Sequence, residues 1–124
     1  MAMRQHVLVV EDEVDQRELT REILEAYGHA VSVASNGKEA LEQLLTGERP
    51  ALILLDVTMP VMSGREFLDV ISRSFPHLAN IPVAVVSAVT DFADLENRYS
   101  CVVSIIKKPL KIETLRSLAE KFAG

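Results

Sequence analysis

Five short apolar runs punctuate the chain, at residues 6–10 (HVLVV), 29–34 (HAVSVA), 51–55 (ALILL), 81–87 (IPVAVVS) and 101–106 (CVVSII). Each is bounded by polar residues and rich in Val, Ile or Leu, so each predicts a strand. The runs at 51, 81 and 101 are nearly unbroken, the pattern of parallel strands covered on both faces. Between the runs the apolar spacing lengthens toward the helical period. Residues 14–27 place Leu19, Ile23, Leu24 and Tyr27 on one helix face, and Gly28 can end the helix. Residues 37–46 open on Asn36 with Glu39 at capping-box spacing and close at Gly47. Residues 64–74 open on Ser63 with Glu66 at the same spacing and stop before Pro76. A fourth stripe, Ile112, Leu115, Leu118 and Phe122, predicts a helix over 111–122. The stretch 91–99 has only Phe92, Leu95 and Tyr99 to suggest a helix face.

Strand and helix thus alternate through five units, which implies a parallel sheet with helices on both sides and right-handed crossovers. The common small solution is α/β and doubly wound, a five-stranded flavodoxin-like (βα)5 sheet of order 2-1-3-4-5. No repeat, linker or low-complexity stretch divides the chain, so residues 1–124 are expected to form one domain.

Composition narrows the function classes. A formal net charge of −5 opposes nucleic-acid binding, which needs a basic surface, and six aromatics with no Trp offer little for base stacking. The single Cys101 excludes an intrachain disulfide and fits a reducing compartment. No apolar run approaches the ~18 residues that span a bilayer, and residues 1–5 (MAMRQ) lead straight into a strand, so neither a membrane span nor a signal peptide is expected. The expectation is a cytoplasmic domain.

In doubly wound sheets, ligands bind beyond the carboxyl ends of the strands, near the point where strand order reverses. Glu11-Asp12-Glu13 follow the first strand, Asp56 the third, Ser87 ends the fourth, and Lys107-Lys108-Pro109 follow the fifth. With order 2-1-3-4-5, Asp12 and Asp56 face each other, with Ser87 and Lys108 on the far side. Three carboxylates against one Lys repel unless one keeps its proton or a cation joins them. Carboxylate oxygens favour a hard cation, and Mg²⁺, which keeps waters and accepts a phosphate, suits them. A carboxylate beside Mg²⁺, a hydroxyl and an ammonium is a phosphoryl-acceptor arrangement. Taken singly, each residue has a plainer reading: acidic residues cap helices, a strand-end Asp forms a turn, and Lys-Pro ends a strand. Their concurrence at four neighbouring strand ends is what carries the inference.

The motifs VLVVEDE at 7–13, LLDVTMPVMSG at 54–64, VVSA at 85–88 and KKP at 107–109 closely resemble the receiver domain of two-component response regulators, over essentially the whole chain. The resemblance implies that Asp56 is the phosphoacceptor. It implies that Mg²⁺ is held by Asp12 and Asp56, by Glu11 through water, and by the backbone carbonyl of Thr58. Ser87 matches the hydroxyl that follows the phosphoryl group, Lys108 the Lys that pairs with it, and Pro109 a proline commonly preceded by a cis bond. Pro60 is expected to fix the turn after the acceptor and Gly64 to let the chain bend into the next helix. Such a domain takes its phosphoryl group from a sensor histidine kinase or a histidine phosphotransfer protein and changes its partner-binding surface. It turns over no external metabolite. The sequence departs from the family at Ile105, where an aromatic often stands three residues before the Lys, and at Tyr99-Ser100-Cys101.

Two other functions share these residue types. A haloacid dehalogenase-type phosphatase also uses Asp, Ser or Thr, Lys and Mg²⁺, but carries its nucleophile on the first strand. A pseudo-receiver, serving only for docking, would lack the acidic pair, Asp56 or Lys108.

Overall fold

The computed structural model describes residues 5–57, 59, 61–88 and 94–124. Among these residues, five strands, β1 (Val7–Val10), β2 (Val31–Ala34), β3 (Leu52–Asp56), β4 (Val83–Ser87) and β5 (Val102–Lys107), alternate with five helices. The helices are α1 (Val14–Ala26), α2 (Gly37–Thr46), α3 (Gly64–Ser74), α4 (Leu95–Arg98) and α5 (Ile112–Ala123), with a short 3-10 turn over Pro76–Leu78. All strand pairs are parallel and the order is β2-β1-β3-β4-β5, as expected.

Alternating side chains along the central strands feed two core layers. Leu8, Val10, Ile53 and Leu55 point to one, which also takes Ala40, Phe67, Leu68, Ile71 and Leu95 from α2, α3 and α4. Val7, Val9, Leu52 and Leu54 point to the other, filled by Leu24 of α1 and Leu115, Ala119 and Ala123 of α5. β1, β3 and β4 are buried at every position, so their apolar runs have no polar alternation to show. The fifth run differs from expectation: β5 is the sheet edge, and of its six residues only Val102 is buried. The register with β4 slips between Val83 and Ala84, which leaves Val103 as an extra, partly exposed residue.

Helix starts follow the caps. Ser63 and Glu66 form the full reciprocal box. At α2 only half of the expected box appears: Asn36 accepts from the Glu39 N–H, but Glu39 reaches past it to the Ser35 N–H. Two apolar stripes are rotated from expectation. Leu19 is 57% exposed, because about 100° per residue sets it roughly 140° around the helix from buried Leu24. Ile112 is 53% exposed; α5 rests instead on the row Leu115, Ala119 and Ala123, whose small members let its backbone approach the sheet. Of the helix expected over 91–99, the described residues include the turn of α4, ended by buried Tyr99; residues 91–93, with Phe92, lie outside them.

Candidate functional site

Parallel pairing brings the carboxyl ends of β1, β3, β4 and β5 side by side, and with them the polar residues that follow. Asp56 is the last residue of β3, whose neighbours are β1 and β4. It is therefore a central-strand residue, unlike the first-strand nucleophile of the phosphatase alternative. Glu11 and Asp12 leave β1, and the three residues each place a carboxylate oxygen so that all lie within 4.8 Å of one another. Glu11 and Asp56 are buried and Asp12 is half-buried. Three hard oxygen donors at that spacing suit a small divalent cation.

Lys108 reaches into this cluster from the end of β5. Its Nζ donates to Glu11 Oε1 at 2.8 Å and to Asp56 Oδ2 at 3.3 Å. Burial opposes its charge, but the bonds and negative charges of Glu11 and Asp56 outweigh burial and hold its pKa above the usual lysine value. The Lys108 main-chain N–H donates to the Ser87 carbonyl at 2.7 Å, and the peptide bond between Lys108 and Pro109 is cis. Ser87, one residue past the strand partner of Asp56, is 1% exposed. Of the residues singled out from the sequence, Glu11, Asp12, Asp56 and Lys108 converge, and Ser87 ends the strand beside Asp56. Thr58 and Pro60 lie outside the described residues.

Three features were not legible in the sequence. The partner with the shorter contact to Lys108 is Glu11, which also accepts from the Glu13 N–H at 3.3 Å through its second oxygen. Arg17 donates to the Glu11 carbonyl at 3.1 Å and so pins the acidic turn onto α1; its position one turn into the helix is the only signal it carries. Gly64 serves a different purpose from the expected bend. A Cβ there would lie 2.8 Å from both the Asp56 carbonyl oxygen and Val57 Cα, so the start of α3 rests directly on the acceptor strand. Val61, by contrast, has φ 66° and is 74% exposed, a left-handed conformation that a β-branched residue adopts at a cost.

An open cavity of about 310 Å³ lies over the cluster, bordered by Asp12, Glu13, Gln16, Asp56, Ala88 and Lys108. It gives a phosphate-sized group access to the Asp56 carboxylate with an ammonium and carboxylates on its walls.

The response regulator receiver domain family matches residues 7–120 of this chain. The transcriptional regulatory protein CrdR of Helicobacter pylori is 36% identical over 97% of the chain, and the chain spans about half (55%) of that protein's length. The polar-differentiation response regulator DivK of Brucella anthropi is 35% identical, the match covering 93% of this chain and 96% of DivK. Among solved structures, the response regulator TrrA of Thermotoga maritima, in complex with Mg²⁺ and BeF, superposes with a TM-score of 0.80 at 28% identity, covering 95% of this chain and 98% of TrrA.

Proposed function

Because the chain belongs to the response regulator receiver domain family, we propose that it is the phosphoacceptor module of a two-component phosphorelay, with Asp56 as the acceptor. The observation that carries this reading is the position of the Asp56 carboxylate. It ends the central strand inside a carboxylate cluster, 3.3 Å from the Lys108 ammonium and open to a cavity of about 310 Å³. Residues 1–124 are read as one receiver domain.

The donor is a phosphohistidine on a sensor kinase or phosphotransfer protein. An oxygen of the Asp56 carboxylate attacks phosphorus, the P–N bond breaks, and its electron pair leaves with the imidazole. The chain's own residues set this up by charge and geometry. Lys108 balances the negative charge that gathers on the phosphoryl oxygens. The Ser87 hydroxyl, at the end of the adjacent strand, donates to one of them. Arg17 and Lys108 hold Glu11 from its two ends, and Asp12 is the next residue. The oxygens of Asp12 and Asp56, with Glu11 through water and the Thr58 carbonyl, would hold Mg²⁺, which supplies electrostatic neutralisation of the transferring group. The domain acts in the cytoplasm as a switch rather than as an enzyme with an external substrate. Its output runs through a partner or an effector region.

Incubation of the protein with Mg²⁺ and a small phosphodonor should add one phosphate by intact-mass spectrometry. Asp56→Asn should abolish the addition, and Asp12→Ala should slow it and raise the Mg²⁺ it requires. Equal labelling of the Asn variant would sink the assignment.

A further inference from the structure

Among the described residues between β4 and β5, the helical segment is the turn Leu95–Arg98, closed by the Arg98 N–H to the Asp94 carbonyl and the Tyr99 N–H to the Leu95 carbonyl, each at 2.9 Å. One turn has little stability of its own, because nucleating a helix orders several residues for few hydrogen bonds. What grips it from outside therefore decides where it sits. Leu95 and Tyr99 are buried in the core layer that also contains Phe67, Leu68 and Ile71 of α3. Two polar contacts then bracket the turn. Before it, the Arg65 guanidinium makes a forked pair with the Asp94 carboxylate, Nη2 to Oδ1 at 3.1 Å and Nη1 to Oδ2 at 3.4 Å. After it, the Tyr99 hydroxyl donates to Asp69 Oδ1. Arg65 and Asp69 are four residues apart and so lie on one face of α3. Both rungs spring from that face, one to each end of α4.

The foot of α3 is tied in turn to the acceptor strand. The Gly64 N–H donates to the Val57 carbonyl at 3.0 Å, and the bare α-carbon sits against the main chain of Asp56 and Val57. Arg65 is the next residue. A displacement at the end of β3 thus meets a helix of eleven residues in main-chain contact with it, and that helix carries both rungs. The route through β5 is weaker. At its centre stands Ile105, half-buried on the edge strand, β-branched and stiff at χ1, so it offers little difference in contact between two states.

We propose that the Arg65–Asp94 and Asp69–Tyr99 contacts form a strap through which a change at Asp56 moves α4 by way of α3. The inference rests on the reading of Asp56 as the phosphoacceptor. Tyr99 does at the α4–β5 junction, by a fixed bond to α3, what a swinging ring on β5 would otherwise do. Arg65, Asp69 and Tyr99 are positioning residues and take no part in the chemistry at Asp56.

Amide spectra of the full chain, with Mg²⁺ and with and without beryllofluoride, separate the possibilities. The wild type should shift at 55–57 and 87 and also at 94–99. In Tyr99→Phe/Arg65→Ala, which keeps the buried ring, the shifts at 55–57 and 87 should persist while those at 94–99 fall to less than half. Arg65→Lys, keeping the charge but not the fork, should fall between. Hydrogen exchange in the protein without beryllofluoride judges the strap independently. The double variant should exchange the Asn97, Arg98 and Tyr99 amides about tenfold faster or more, with Leu55 and Ile71 unchanged. Full shifts at 94–99 in the double variant, or unaltered exchange there, would overturn the strap. Absence of wild-type shifts at 55–57 and 87 would instead overturn the acceptor reading.

Discussion

Replacing Gly64 by Ala tests the close approach on which the site geometry depends. The added Cβ would lie 2.8 Å from the Asp56 carbonyl oxygen and 2.8 Å from Val57 Cα, where ordinary contact begins at 3.4 Å. The missing distance is 3.4 − 2.8, or 0.6 Å, and both opposing atoms are main chain, so no side chain can swing aside. If α3 backs away by that amount, the 3.0 Å bond from the Gly64 N–H to the Val57 carbonyl stretches to about 3.6 Å and is lost. Overpacking costs roughly 1–3 kcal/mol, and a broken buried backbone bond about 1 kcal/mol or more. Ala favours a helix over Gly by up to ~1 kcal/mol, which offsets part of this. The net loss is about 1–4 kcal/mol. At ~2.1 cal/mol/K per residue, 124 residues unfold with an entropy of about 0.26 kcal/mol/K, so Tm should fall by roughly 4–15 °C. Calorimetry at pH 7 measures this directly, and phosphorylation by a small donor should slow as well, because the backbone that carries the acceptor has moved. A variant that melts within about 2 °C of wild type and labels at the wild-type rate would show that α3 does not bear on Asp56 as described.

Two further outcomes follow from the charges. Lys108→Ala removes the ammonium that lies between Glu11 and Asp56, whose side chains are only 10% and 7% exposed. Taking the ammonium away from these two buried carboxylates should cost about 2–3 kcal/mol at pH 7. A variant that melts within about 2 °C of wild type would contradict that account. At the opposite end of the sheet, His6 bonds Ser32 Oγ at 2.6 Å through Nε2, and burial holds its pKa below the usual histidine value against the opposing pull of Glu48. A base whose folded pKa is lowered stabilises the fold above the unfolded value near 6.5, and that contribution drains away as pH falls from there through the folded pKa. Denaturant melts of wild type and His6→Gln between pH 7.5 and 5 should diverge in slope, wild type losing more; parallel curves would exclude the histidine.

The local pattern of residues determined most of what this protein is. Unbroken apolar runs such as ALILL and alternating helix periods predicted the five strands and the helices α1, α2, α3 and α5, and the placement of Asp12, Asp56, Ser87 and Lys108 at strand ends pointed to the acceptor chemistry. These features were legible because period and capping are properties of a few successive residues, and because the parallel topology follows once strands and helices alternate. What only the tertiary structure decided are distances between residues far apart in the chain. Lys108 and Glu11, 97 positions apart, meet at 2.8 Å, and Tyr99 finds Asp69 across 30. Periodicity names a face without saying what will cover it, so Leu19 and Ile112 belong to apolar stripes yet stand in solvent. Gly64 reads as a turn former, and its need for space appears only when α3 is laid on β3. The physical reason is common to all of these: a side chain's environment is set by the packing of neighbours that arrive from elsewhere in the chain, and their arrival depends on the whole fold rather than on any local segment.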